Sequence, residues 1–314
     1  MKKTYLILLT GLLMLGNFTV IAQDFTKKAS ETNVIYGMHS GLALLMDVYR
    51  PSNPNGYGII VIPGSGFHQL MSYDAEPLNK NSWYLENIIG TNNLLKNGYV
   101  LFVINHRSSP LFRYPAHVED AQRAVQFIRH NAEKYQIEKE RLGAIGHSSG
   151  AHLVSMLGTL NDIQNTDSEN PIERESSKVE AVVGLAGVYN LTKFATSGFG
   201  DIGAVASYIG THLPTWRGKN APKQYEFDLY ANASPTEHVT NDDAAFFLIH
   251  GTNEKVTHPD ESSEFHQLLL KNGVNSNLLI IENAGHGLRV DGKVATEQYY
   301  NPIIDFFDRE IAKR

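Results

Sequence analysis

The chain has no cysteine in its 314 residues. That excludes disulfide bridges, thiolate metal ligation and lipid attachment through a cysteine, so a buried apolar core must do the stabilising. Basic residues are not in excess either. Lys and Arg number 27 against 33 Asp and Glu, a formal net charge of −6, which argues against a nucleic-acid partner. No apolar run approaches the ~20 residues that a bilayer-spanning helix requires. The thirteen histidines include no His-Glu-x-x-His spacing and offer no convincing metal site. What remains is ordinary globular composition, 42% hydrophobic and 19% charged, sufficient for a sizeable core.

Lys2 and Lys3 precede an apolar stretch from Tyr5 to Leu15, and Val20-Ile21-Ala22 lead into Gln23. A basic start, a short hydrophobic run and compact residues before a cleavage point make a secretory signal pattern. The alternative, a membrane anchor, is weakened by the shortness of the run and by Gly11, Gly16 and Asn17. The expectation is a signal peptide over residues 1–22 and one domain over 23–314, secreted or periplasmic, without stable membrane insertion. Export without disulfides suits a bacterial periplasm or exterior.

The segment from Asn33 to Arg50 reads as an antiparallel hairpin turning near Gly41, with Leu44 to Tyr49 in its second strand. Short continuous apolar runs follow at 58–62, 99–104, 142–145, 179–186, 245–249 and 277–281. Runs of this kind mark strands buried on both faces of a sheet. Val118, Ala121, Ala124, Val125 and Ile128 recur at helical spacing within residues 115–134. A helix through Glu264 to Leu270 stops at Asn272-Gly273, and another occupies Tyr299 to Ile311. The fold class is therefore α/β, a mostly parallel sheet with helices on both faces. Two stretches, 72–93 and 192–230, interrupt the alternation. They are expected as lid-like insertions over the carboxyl ends of the strands, where such sheets bind ligands.

Gly146-His147-Ser148-Ser149-Gly150 is the most informative segment. It follows an apolar strand and precedes a helical pattern containing Leu153, Val154, Met156 and Leu157. A Gly-x-Ser-x-Gly turn in that setting holds a serine hydroxyl clear of the backbone, with both glycines removing side chains that would crowd the turn. Ser148 is the candidate nucleophile. Ser149 is the rival, although its flanking glycines are wrongly spaced.

With that elbow the chain resembles the α/β-hydrolase serine esterases, near the hormone-sensitive-lipase-like and bacterial carbohydrate acetylesterase group. The likeness extends, in order, through Val61-Ile62-Pro63-Gly64-Ser65-Gly66-Phe67, Asn105-His106-Arg107-Ser108-Ser109-Pro110 and Pro115-Ala116-His117-Val118-Glu119-Asp120-Ala121. It continues through Ala233-Ser234-Pro235, His250-Gly251-Thr252 and Ala284-Gly285-His286-Gly287, covering nearly everything after Val34. The resemblance implies a triad in the chain order serine, acid, histidine. His286, in a glycine-flanked loop after the last core strand, is the expected base. Glu254 stands where the group usually has aspartate, and Asp260 is the rival acid. The oxyanion loop departs from the usual His-Gly-Gly-Gly and is similar to the Pro-Gly-Gly-Gly variant of some carbohydrate esterases. Its expected backbone donors are Ser65, Gly66 and Ser149. A phosphate-cradle reading of the same loop fails for want of a Gly-Lys-[Ser/Thr] ending.

Arg107, Asp120 and His117 read as structural, since an arginine after a core strand and an aspartate early in the next helix could pair or cap. His147 and His152 flank the elbow and are candidates for the pocket wall. The implied function is a secreted serine carboxylic-ester hydrolase that removes acetyl- or feruloyl-type acyl groups from a small-molecule or carbohydrate ester. It needs no cofactor. Amide hydrolysis by a peptidase or arylformamidase of the same fold, and an inactive hydrolase-fold binding protein, are the alternatives. The segment before Gly58 is too short for a gating propeller, and the export pattern points away from a cytosolic arylformamidase.

Overall fold

The computed structural model describes residues 29–68, 82–197, 202–211 and 224–312. The expected signal peptide lies outside them. Strands β1 (Glu31–His39) and β2 (Leu42–Tyr49) form the N-terminal hairpin, turning at Ser40-Gly41. β3 (Gly58–Ile62), β4 (Val100–Ile104), β5 (Leu142–His147), β6 (Ala181–Leu185), β7 (Ala245–Gly251) and β8 (Ser276–Ile281) complete one sheet in the order β1-β2-β4-β3-β5-β6-β7-β8. β1, β2 and β4 pair antiparallel, and every pairing from β4 through β8 is parallel. The fold is that of an α/β-hydrolase.

The unbroken apolar runs have a direct physical cause, for both faces of the sheet are covered. Ile60 and Ile62 of β3 enter one core cluster, Ile59 and Val61 the other. Phe246 and Leu248 of β7 likewise oppose Phe247 and Ile249. One cluster packs beneath the helices Ala116–His130, Ser149–Thr159 and Asp260–Lys271, the other beneath Thr91–Lys96 and Thr296–Ile311. Each fully buried side chain of this size stabilises the fold by roughly 1.5–3 kcal/mol before entropy is counted. The glycines in the strands mark the closest packing: a Cβ on Gly143 would lie 2.9 Å from both Ile311 Cδ1 and Phe307 Cε1.

Both insertions carry more regular structure than their composition predicts. Within 72–93 the described part is helical from Ser82, including a π-helical turn at Leu85–Ile89. Within 192–230 lie the helices Leu191–Ser197, Ile202–Ile209 and the start of Gln224–Asn232. The sequence signal was blurred because these helices are short, seven to nine residues each in the second insertion, although they bury Phe194, Ala204 and Tyr208. Among the described residues, no helix is long and apolar enough to cross a membrane.

Candidate active site

β5 runs into the helix Ser149–Thr159 with a single residue between them, Ser148, at φ 56° and ψ −124°. This is a sparsely populated conformation for a residue with a Cβ, and the surrounding packing imposes it. Ser148 N–H donates to Leu185 O at 2.8 Å, and Ser148 O accepts from His152 N–H at 3.1 Å. The glycines make the turn possible. A Cβ on Gly150 would lie 1.9 Å from Ile62 O, and one on Gly146 would lie 2.3 Å from Gly150 O. Neither backbone can yield, so even alanine is sterically excluded at both positions.

The structure brings Ser148, His286 and Glu254 together. His286 Nε2 lies 3.0 Å from Ser148 Oγ, and its Nδ1 lies 2.8 Å from Glu254 Oε2. Because Nδ1 faces a carboxylate, it carries the proton, which leaves Nε2 as the acceptor for the serine hydroxyl. Glu254 is buried, whereas His286 keeps 26% of its side-chain surface exposed. Burial raises the Glu254 pKa. The His286 hydrogen bond and charge, the Val256 amide and the charge of His250 outweigh it, and hold the group below the usual carboxylate range. The extra methylene of glutamate has a visible use: Oε1 folds back to accept from the N–H groups of Lys255 at 2.7 Å and Val256 at 2.6 Å. Asp260 does not reach the site. It begins the helix Asp260–Lys271 with 61% of its side chain exposed, and its carboxylate lies 3.3 Å from His258 Nδ1.

Of the three expected oxyanion donors, Ser65 is placed differently from the other two. Its N–H donates to Ser149 Oγ at 3.0 Å and is therefore already engaged. The N–H groups of Gly66 and Ser149 have no acceptor among the described residues. The turn holding Gly66 is reversed by two successive left-handed residues, Gly66 at φ 63° and Phe67 at φ 65°. Phe67 is buried and stacks on Tyr208 with ring centroids 4.0 Å apart, which anchors the turn from behind.

Arg107 and Asp120 pair, as their types suggested. Arg107 Nε donates to Asp120 Oδ1 at 2.8 Å, and its backbone N–H donates to Oδ2 at 2.6 Å. His117 packs behind the oxyanion loop, with Nε2 3.0 Å from Ser109 Oγ. His147 lines the cavity above Ser148, whereas His152 is wholly buried against Val188 O at 2.9 Å. Burial holds the imidazole of His152 down at about 4 and that of His117 at about 2, so both are neutral near pH 7.

Three supports went unrecognised in the sequence. His250 Nε2–H donates to Thr257 O at 3.3 Å and its Nδ1 accepts from Ser262 at 2.8 Å, which braces the Glu254 loop. Glu261, also buried, accepts from the N–H groups of Tyr189 at 2.8 Å and Asn190 at 2.9 Å, fixing the loop after β6. Tyr84 lines the cavity from the first insertion. His250 stood in a recognised stretch, but no spacing distinguishes a bracing carboxylate or tyrosine from a solvated one. Among the described residues, no group of three or more His, Cys, Asp or Glu is arranged to hold a metal ion.

The cavity has a volume of about 380 Å³. Ser148 and His286 lie on one side, and Val188, Phe194, Ala204, Val205 and Val256 supply an apolar wall. It opens at the carboxyl ends of the strands, with both insertions contributing to its rim.

A probable isoprenylcysteine alpha-carbonyl methylesterase of Arabidopsis thaliana is 24% identical over 88% of this chain and 54% of its own length. An acetylxylan esterase of Xylanibacter ruminicola is 30% identical over 48% of this chain and 28% of its own length. The chain thus spans only 51–59% of the length of the first curated relatives it matches. A solved truncated carbohydrate esterase from gut microbiota superimposes with a TM-score of 0.70 at 27% identity, covering 92% of this chain and 99% of that one. The family BD-FAE matches residues 46–269, a stretch that takes in the oxyanion loop, the elbow and Glu254, and the chain belongs to that family.

Proposed function

We propose that the chain is a secreted serine carboxylic-ester hydrolase that removes short acyl groups from carbohydrates. The observation that carries the reading is the Ser148–His286–Glu254 relay, with its 3.0 Å and 2.8 Å links. Ser148 Oγ attacks the ester carbonyl carbon as His286 Nε2 takes its proton. The oxyanion forms opposite the N–H groups of Gly66 and Ser149, which have no acceptor among the described residues. His286 returns the proton to the departing alcohol, and Glu254 stabilises the imidazolium in between. Water, deprotonated by His286, then releases the acid and restores Ser148.

The carbohydrate part of the proposal is supported by the likeness to the gut carbohydrate esterase and the acetylxylan esterase. The short acyl part is supported by a cavity of about 380 Å³ whose apolar wall includes Phe194 and Val205. Purified protein is expected to hydrolyse acetylated xylan and aryl acetates at least ~10-fold faster than feruloyl esters. One methylene in an apolar pocket is worth about 1–3 kcal/mol, and a feruloyl group is far larger than acetyl. Equal rates across that panel would remove the acyl preference. A serine-directed phosphonate that failed to label Ser148 would remove the hydrolase reading itself.

Export belongs to the proposal on the basis of the sequence alone. Mass spectrometry of the protein outside the host cytoplasm is expected to find a mature N-terminus at or near Gln23. An exported form retaining Met1 would count decisively against it.

A further inference from the structure

Two loops must hold still while charge moves at Ser148: the turn after β3 that carries Gly66, and the loop after β8 that carries His286. Two side chains that the proposed mechanism does not use bridge them. His147 Nε2 lies 2.6 Å from His286 O, and Tyr84 Oη is bonded to His147 Nδ1. Gly64 N–H donates to Tyr84 Oη at 3.2 Å.

The proton on each link can be assigned from geometry. A carbonyl oxygen only accepts, so His147 Nε2 carries the hydrogen, and Nδ1 of the neutral ring offers a lone pair. Tyr84 therefore donates its O–H to Nδ1, and its oxygen is left to accept from Gly64. All three bonds run in one direction, from Gly64 N–H to the carbonyl of His286, so each polarises the next. His147 is 4% exposed, and burial holds its imidazole down at about 3, with a smaller push from His286. It is therefore neutral near pH 7. The approach is close throughout, since a Cβ on Gly64 would lie 2.8 Å from both His147 Nδ1 and Tyr84 Oη.

We propose that Tyr84 and His147 are positioning residues, a strut that ties the oxyanion loop to the histidine loop and sets donors and base as one unit. The inference rests on the assignment of Ser148 and His286 as the reacting pair. A strut of this kind acts on the transition state, because the ester's ground-state contacts with the apolar wall do not depend on it.

The test is a double-mutant cycle on the full chain with an aryl acetate, counting active sites by phosphonate titration. Tyr84→Phe keeps the ring that stands edge-on to His147 at 5.4 Å between centroids, and removes only the hydroxyl. It is expected to lower kcat by ~10-fold or more with KM within about 2-fold, since small misplacements in a catalytic constellation are costly. His147→Leu should lose a similar factor, and the double variant should fall no further than the worse single one. Wild-type kcat in Tyr84→Phe, or losses that multiply in the double variant, would overturn the strut. Should His147→Leu not fold, the kcat-against-KM split of Tyr84→Phe decides alone. A wild-type protein that neither turns over esters nor takes the phosphonate would overturn the hydrolase reading instead.

Discussion

Ser148→Ala is expected to lower kcat for ester hydrolysis by at least ~10³-fold without disturbing the fold. The position is set by backbone contacts, not by its hydroxyl. The N–H and carbonyl of Ser148 are held by Leu185 and His152, and Gly146 and Gly150 remain to shape the turn. Alanine can occupy the same φ 56° conformation at a cost comparable to that of serine. Far-ultraviolet circular dichroism and the melting temperature should therefore match the wild type, and phosphonate labelling should vanish. Ser149→Ala offers the contrast. Its hydroxyl accepts from Ser65 N–H at 3.0 Å, so its loss should loosen the oxyanion loop and cost far less. If Ser149→Ala were the more damaging change, the nucleophile would have to be reassigned.

Glu254→Gln should be nearly as severe, with kcat falling by ~10²–10⁴-fold, and the reason lies in which way the amide must point. Oε1 of Glu254 sits against the N–H groups of Lys255 and Val256 at 2.7 Å and 2.6 Å. A glutamine that placed its NH₂ there would set donor against donor. It must keep its carbonyl at that position and turn the NH₂ toward His286 Nδ1. That favours the wrong tautomer of His286, with the proton on Nε2 and no acceptor for Ser148. Glu254→Asp keeps the charge but cannot reach both the loop amides and His286, so it should retain partial activity. Asp260→Asn should stay within about 2-fold of wild type, because Asp260 is exposed and faces His258. Steady-state kinetics on the three variants checks the set. A collapse in Asp260→Asn beside near-wild-type Glu254→Gln would move the acid role. The carboxylate also sets an acid limit. Its folded pKa is depressed, so the stability it contributes is present above the ordinary glutamate value and is lost only as pH falls through the lower folded value.

The sheet was legible because a strand covered on both faces leaves a short, unbroken apolar run; all six runs correspond to strands, but 277–281 proves to be the half-exposed edge strand β8 and not one buried on both faces. The elbow was legible because its glycines answer to backbone contacts of 1.9 Å and 2.3 Å that no other residue survives. His286 and Glu254 could be placed from chain order and loop position, and the structure sets them beside Ser148. The insertions were not legible. The three helices described in the second insertion run only seven to nine residues each, too few turns for the burial of Phe194, Ala204 and Tyr208 to register as a period. The engagement of Ser65 N–H by Ser149 Oγ was equally hidden, since a hydrogen bond spanning 84 residues leaves no local trace. Tyr84 illustrates the same limit, for its bond to His147 spans 63 positions.

Among the described residues β8 is the last strand of the sheet, bonded to β7 on one side only, and its inner positions are half-exposed, with Ile280 39% accessible. The loop bearing His286 hangs from that margin, whereas Ser148 follows the central β5. Edge strands open with less free energy than the strands they flank. The proposed chemistry is thus wired to one margin of the sheet, and turnover is expected to be lost when that margin opens while most of the core still stands. Activity therefore reports the integrity of one margin, and a ligand that clamps His286 against Ser148 also stitches the edge of the sheet to its centre.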